Sequence, residues 1–230
     1  MLPQDSIKKY SLKITILGVT TMIISQHTYI NWENYLEFGI RQFFKEKTGV
    51  YKQDTIGDGF YYVHKGLIKV ITSTTKEKDR MLNIVVPGQL LGVQTMDQQV
   101  HFTTAVTAKD SILYYFPYEK FKELLRLQPT FLYLFTKTVI QKIQGLVELI
   151  NLNSHSAESQ IALILLNICY DFKDHEVHLT QKDLVTCTGL TRITVYKILK
   201  QWQKENLIEI QSRKLLIRDP DLLRNYVINS

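Results

Sequence analysis

The stretch LTQKDLVTCTGLTRITVYKILKQWQKENL (179–207) decides the reading of this chain. Thr180 stands at an N-cap position, where a side-chain oxygen can accept a first-turn N–H, and Asp183 places a negative charge at the positive end of the same helix. Leu184 and Cys187 then face inward. Gly189 supplies a sharp turn, because a residue without Cβ tolerates φ > 0. Thr191 caps a second helix, on which Val195, Ile198, Leu199 and Trp202 fall at i, i+3, i+4 and i+7 and form one buried stripe. Arg192, Ile193, Tyr196, Lys197 and Lys200 fall on the other face. A short helix, a glycine turn and a second helix with a basic outer face make a helix-turn-helix pattern, whose second helix fits the DNA major groove.

Downstream, Leu207–Gln211 and Lys214–Ile217 are short β-prone runs joined by Gln211-Ser212-Arg213, which reads as a hairpin wing. Arg213 and Lys214 at its tip suit phosphate contacts, as do Lys197 and Lys200; Arg192, near the helix start, suits a guanine edge. The full DNA-facing set is Thr180, Gln181, Thr191, Arg192, Ile193, Thr194, Tyr196, Lys197, Lys200, Arg213 and Lys214. The competing reading is a helical hairpin with a solvated basic face. The caps, the glycine turn, the separation of faces and the wing together favour the first; the charge by itself fits either a polyanion partner or a basic solvated surface, with residues 180–230 carrying 9 Lys+Arg against 5 Asp+Glu and the preceding 179 carrying 19 against 17, within a net charge of +6.

Upstream of this module, Ala157–Tyr170 has a wide apolar helical face, and His175–His178 reads as a short strand. Asn151–Ser156 is a polar break, so the first domain is expected to end near residue 155. Before it, Pro129 opens a long helix (129–153). Leu132, Val139 and Leu146 recur every seven residues, and Thr136, Ile143 and Ile150 fill the second seam position, with Phe135 and Val147 widening the stripe. That is a short coiled-coil-like seam suited to a homodimer; the alternative is a helix packed on its own domain. Tyr118–Gln128 is a further short helix.

Six of the ten glycines lie between residues 49 and 92. Around them run β-prone segments at Phe60–His64, Leu67–Ser73, Met81–Val86, Thr103–Ala108 and Ser111–Phe116, with a polar hairpin tip at Lys76–Arg80 and a turn at Val86-Pro87-Gly88. This spacing predicts an antiparallel sandwich or barrel.

Composition excludes several classes. Hydrophobic residues make up 45 % and charged residues 22 % of the 230, an ordinary globular balance. Two cysteines, Cys169 and Cys187, cannot build a disulfide framework or a four-cysteine metal site, so a reduced cytoplasmic protein is expected. No apolar run reaches the ~18 residues of a membrane span. The histidines (His27, His64, His101, His155, His175, His178) show no metal spacing beyond the last pair, which reads as surface loop. Gly57-Asp58-Gly59 lies between strands rather than opening a helix, and no phosphate loop, nucleophile elbow or paired acids point to catalysis. Residues 1–30 have three readings: a weak signal-like segment, a mis-called start with Met22 as the true one, or a short element packed on the domain.

The order of parts and the strings YYVHKGLIKV (61–70), VPGQLLGV (86–93), YEKFKELL (118–125) and GLTRITVYKILKQWQKENLI (189–208) resemble the cyclic-AMP receptor protein/FNR (CRP/FNR) family of bacterial transcription regulators. The resemblance implies an α+β fold: an N-terminal double-stranded β-roll of the cyclic-nucleotide-binding kind (31–155, dimerisation helix included) and a C-terminal winged helix-turn-helix (156–230). It implies a homodimer on near-palindromic duplex DNA, with RNA polymerase as a further partner. ALILLNICYDF (162–172) and TRITV (191–195) look nearest the NtcA-type nitrogen regulators of cyanobacteria and algal plastids, which would place the chain in the bacterial cytoplasm or the plastid stroma.

By resemblance the base-reading positions are Arg192, Ile193 and Lys197; the cyclic-AMP receptor has Glu where this chain has Ile193, and an apolar side chain cannot accept from cytosine N4. The cyclic-AMP pocket's ribose Glu and phosphate Arg fall on Val93 and Phe102, neither of which can do that work. The nitrogen regulators' 2-oxoglutarate residues fall near His101, Gln141 and Leu146; His101 can hold a carboxylate only if protonated and is expected on a surface loop. The effector-pocket candidates are therefore Gly92, Val93, Gln94, His101, Phe102, Thr103 and Gln141, with the effector unknown. An FNR-type iron–sulfur cluster would need N-terminal cysteines that the chain lacks, and nothing supports a haem.

Overall fold

Two long strands carry the N-terminal half. The computed structural model describes residues 32–228 except 74–78, 97, 152–153, 173–175 and 212–213. The N-terminal segment 1–30, the hairpin tip around 76–78, His175 and Arg213 therefore lie outside the described residues. β3 (Gly59–Ser73) and β6 (Thr104–Pro117) pair antiparallel along most of their length. Around them β1 (Ile40–Phe44) and β2 (Gly49–Tyr51) pair with β6, while β4 (Asp79–Val85) and β5 (Leu90–Leu91) pair with β3.

The sequence segments 60–64 and 67–73 are thus one strand, as are 103–108 and 111–116. What separates them is not a turn but a bulge, with the register shifting between Val63 and Ile68. Gly66 makes the bulge possible. It sits at φ +110°, and a Cβ there would lie 2.0 Å from Ser111 Oγ and 2.6 Å from Ser111 Cα. β1, β2 and β5 are too short, or too weakly alternating, to be read from the sequence.

The β-roll interior holds Val63, Ile68, Val70, Val85, Leu91, Ala105 and Leu113. A second, aromatic core joins the sheet to α1 (Tyr118–Leu127) and α2 (Thr130–Asn151) through Trp32, Phe60, Phe116, Phe121 and Phe131. Trp32 is fully buried, and its indole N–H donates to Thr138 Oγ1 on α2 at 3.2 Å, so the one polar atom of the ring is satisfied.

The C-terminal half comprises α3 (Ala157–Phe172), β7 (Glu176–Val177), α4 (Gln181–Thr188), α5 (Arg192–Lys204), β8 (Ile208–Gln211), β9 (Lys214–Ile217) and α6 (Pro220–Ile228). Its core gathers Ile161, Leu165, Leu184, Val195, Leu199, Trp202, Leu215 and Leu223. Leu67 and Val86 of the β-roll join the same cluster. A partly buried ion pair, Lys69 Nζ to Asp183 Oδ2 at 2.6 Å, also links the two halves.

Candidate nucleic-acid interface and effector pocket

The helix-turn-helix is built from local interactions. Thr180 Oγ1 accepts from Asp183 N at 3.2 Å, and Asp183 Oδ2 accepts from Thr180 N at 2.8 Å, a reciprocal capping box that starts α4. Gly189 ends α4 at φ +73°. Thr188 Oγ1 accepts from Leu190 N at 3.2 Å and stiffens the turn. Thr191 Oγ1 accepts from Thr194 N at 3.1 Å and starts α5.

α5 buries Val195, Ile198, Leu199 and Trp202 and exposes Arg192, Ile193, Tyr196, Lys197 and Lys200, the division expected from their spacing. Gln181 is exposed at the start of α4, and Thr194 is half-buried behind the outer face. Among the described residues neither Arg192 nor Lys197 is held in an ion pair, so both cations are available. Lys200 Nζ lies 5.5 Å from the centre of the Tyr196 ring.

β8 and β9 form the wing, in register from Ile208↔Ile217 to Gln211↔Lys214, and β7 extends it on the β9 side. Lys214 differs from expectation, because its ammonium is paired with Glu176 on β7 instead of projecting free. Glu176 also meets His178 Nε2 at 3.0 Å. Burial, with Lys109 and Lys214 nearby, pushes the His178 imidazole below its ordinary pKa.

The effector candidates divide. Gly92, Gln94, His101 and Thr103 come together around Tyr51: its ring stacks on His101 at 3.9 Å and 7°, its hydroxyl meets Thr103 Oγ1 at 3.3 Å, and Gln94 bonds to it as well. A Cβ on Gly92 would lie 3.5 Å from Tyr51 and 3.6 Å from His101. Val93 packs against the Trp32 core, and Phe102 turns outward, 65 % exposed, so it does not join the others.

The surface-loop expectation for His101 is corrected. The residue is only 5 % exposed, its main chain pairs with Asp54 and Thr55, and its buried Nδ1 has no partner among the described residues. Burial lowers its pKa, so the ring resists the protonation that carboxylate binding would need.

A cation stands one position from Gln141 in the chain. Lys142 Nζ donates to the Leu90 carbonyl at 3.0 Å, and burial pushes the amine down to about 8. Its signal in the sequence is a lysine set among the apolar seam positions Val139, Ile143 and Leu146.

On α2, Leu132, Ile143, Leu146 and Ile150 are exposed, as are Tyr133, Ile140 and Val147, while Val139 is half-buried. Phe135, expected to widen that stripe, instead enters the aromatic core, 4.8 Å from Phe121. Cys169 is buried, and burial pushes the Cys187 thiol up to about 12, which makes it a poor redox sensor. No helix among the described residues is long and apolar enough to cross a membrane.

Residues 41–128 match the cyclic nucleotide-binding domain family, and residues 159–226 match the Crp-like helix-turn-helix domain family. The chain belongs to the CRP/FNR family of transcription regulators. Among its relatives, the transcriptional activator protein Anr of Pseudomonas protegens is 22 % identical over 175 residues, covering 71 % of this chain and 72 % of that protein. The cAMP-activated global transcriptional regulator CRP of Salmonella typhimurium is 24 % identical over 183 residues, covering 76 % and 87 %. A CRP/FNR-family regulator from Thermus thermophilus shares the fold with a TM-score of 0.70 at 20 % identity, covering 82 % of this chain and 98 % of that one. The Crp-like helix-turn-helix match, together with curated relatives that are transcription regulators, supports a DNA-binding transcription regulator.

Proposed function

We propose that this regulator acts as a homodimer on near-palindromic duplex DNA, with α2 as the dimer helix of a sensor unit (31–155) and α5 as the base-reading helix of a reader unit (156–230). The observation that carries the reading is the division of α5: one face wholly buried, the other presenting Arg192, Ile193, Tyr196, Lys197 and Lys200, its leading cation in no ion pair among the described residues. Arg192 addresses guanine; Lys197 and Lys200 hold phosphates, with Thr180, Gln181 and Thr191 at the helix starts. The apolar stripe on α2 supplies the two-fold contact that spaces two such helices one DNA turn apart. RNA polymerase is the natural further partner, and the site of action is the bacterial cytoplasm, or the plastid stroma if the nitrogen-regulator likeness of residues 162–172 and 191–195 extends to nitrogen-related targets.

The pocket residues do not fit cyclic AMP, since Val93 and Phe102 offer neither a ribose acceptor nor a phosphate cation, and a neutral buried His101 suits 2-oxoglutarate poorly. The Tyr51–His101 stack supports a second reading, operation without either effector.

Selection of bound sites from random duplex DNA tests both. The ligand-free protein is expected to enrich a palindromic motif, and added cyclic AMP or 2-oxoglutarate to leave it unchanged. Affinity is expected to fall with salt at a slope near −0.9 per phosphate contacted. Arg192→Ala is expected to lose roughly 1–3 kcal/mol of specific binding. A salt-insensitive association without sequence preference would replace DNA with a protein partner.

A further inference from the structure

Two large apolar side chains stand on the outer face of α5, where solvent should favour polar ones: Ile193 is 68 % and Tyr196 is 50 % exposed. They lie at i and i+3, so they are neighbours on one face. Neither supports the core, which Val195, Ile198, Leu199 and Trp202 fill from the opposite side. Ile193 is in the first turn beside Arg192, the end of a recognition helix that reaches base edges. The Lys200 ammonium over the Tyr196 ring helps hold that ring on the same face.

Resting on the reading of α5 as the DNA-facing helix, we propose that Ile193, with Tyr196 beside it, reads the 5-methyl group of thymine next to the guanine addressed by Arg192. An isoleucine at a base edge can neither donate nor accept a hydrogen bond. Placed against cytosine N4 or adenine N6 it would strand a donor. The thymine methyl is the apolar feature of the major-groove edges, and burying it against Ile193 removes both from water. The specificity is therefore for a methyl group, not for a hydrogen-bond pattern.

Deoxyuridine isolates that group, because it keeps the pairing and every donor and acceptor of thymine and lacks only the methyl. The experiment takes the duplex selected by the full-length protein, replaces each thymine in turn by deoxyuridine, and measures affinity by fluorescence anisotropy at fixed salt. One position per half-site is expected to weaken binding about fourfold, the factor for one methyl-sized group leaving water, and about fifteenfold when both half-sites are changed. Ile193→Ala is expected to bind the thymine and deoxyuridine duplexes equally while keeping its preference for the adjacent guanine; its exposure means the fold should survive, which circular dichroism checks. Indifference of the wild type to every replacement, a half-site without thymine beside the guanine, or undiminished discrimination by Ile193→Ala would each overturn the proposal. If selection enriches no DNA at all, the DNA-facing reading itself fails, an outcome distinct from a clear motif that ignores the methyl.

Discussion

Lys142 shows how one side chain acquires its properties from its surroundings. Its amine is tucked against the Leu90 carbonyl with no carboxylate partner among the described ion pairs, and desolvation lowers its pKa from 10.5 to about 8. Below pH 8 the ammonium is charged in folded and unfolded chains alike, and the cost of burying it is present in full. Between about pH 8 and 10 the unfolded chain holds a proton that the folded chain has released, so stability rises with pH across that window. Relative to Lys142→Met, the wild type is expected to gain about 1–3 kcal/mol between pH 7 and pH 10. Urea unfolding of both proteins at one fixed concentration measures the difference; parallel pH profiles would refute the assignment.

At the scale of the element, α2 carries opposed faces. Phe131 and Phe135 turn toward the aromatic core, while Ile140, Ile143, Val147 and Ile150 stay in contact with solvent. An apolar stripe of this length on a single helix calls for a partner, and a second copy offers the same stripe about a two-fold axis. Ile143, 54 % exposed, lies well inside it. Ile143→Glu places two carboxylates near that axis in a dimer and disturbs nothing in the isolated chain. Sedimentation is expected to show a monomer with unchanged helix content, and operator affinity should collapse with the loss of the second half-site. A variant that remained dimeric would move the interface elsewhere.

Across the whole molecule the two halves meet through Leu67 and Val86, which join the C-terminal core, and through side-chain contacts beside them. Lys69 reaches from β3 to Asp183, and Met81 Sδ lies 3.6 Å from Cys187 Sγ. Asp183 thereby serves twice, capping α4 and anchoring it to the β-roll. Lys69→Met keeps the capping box and removes only the anchor. It is expected to cost about 1–3 kcal/mol, less than breaking a fully buried pair because both side chains retain some exposure. Limited proteolysis between residues 151 and 157 is expected to quicken as the halves loosen; an unaltered cleavage rate with unaltered stability would show the anchor to be idle.

Sequence alone determined the helix-turn-helix, the wing, the long α2 and the mainly β N-terminal half. Their signals are local: a threonine cap and its acidic partner three residues on, a glycine that must turn left-handed, apolar residues one helical turn apart. Such signals are set by neighbours in the chain and need no knowledge of the fold. Tertiary structure alone decided that His101 is buried against Tyr51, that Lys142 meets Leu90 from 52 residues away, that Phe135 leaves the exposed stripe of α2, and that Lys69 finds Asp183 across 114 residues. Those outcomes depend on which strands pair and where the bulge at Gly66 bends them. Pairing of this kind is a non-local choice that burial of the whole core makes at once, and no short window of sequence contains it.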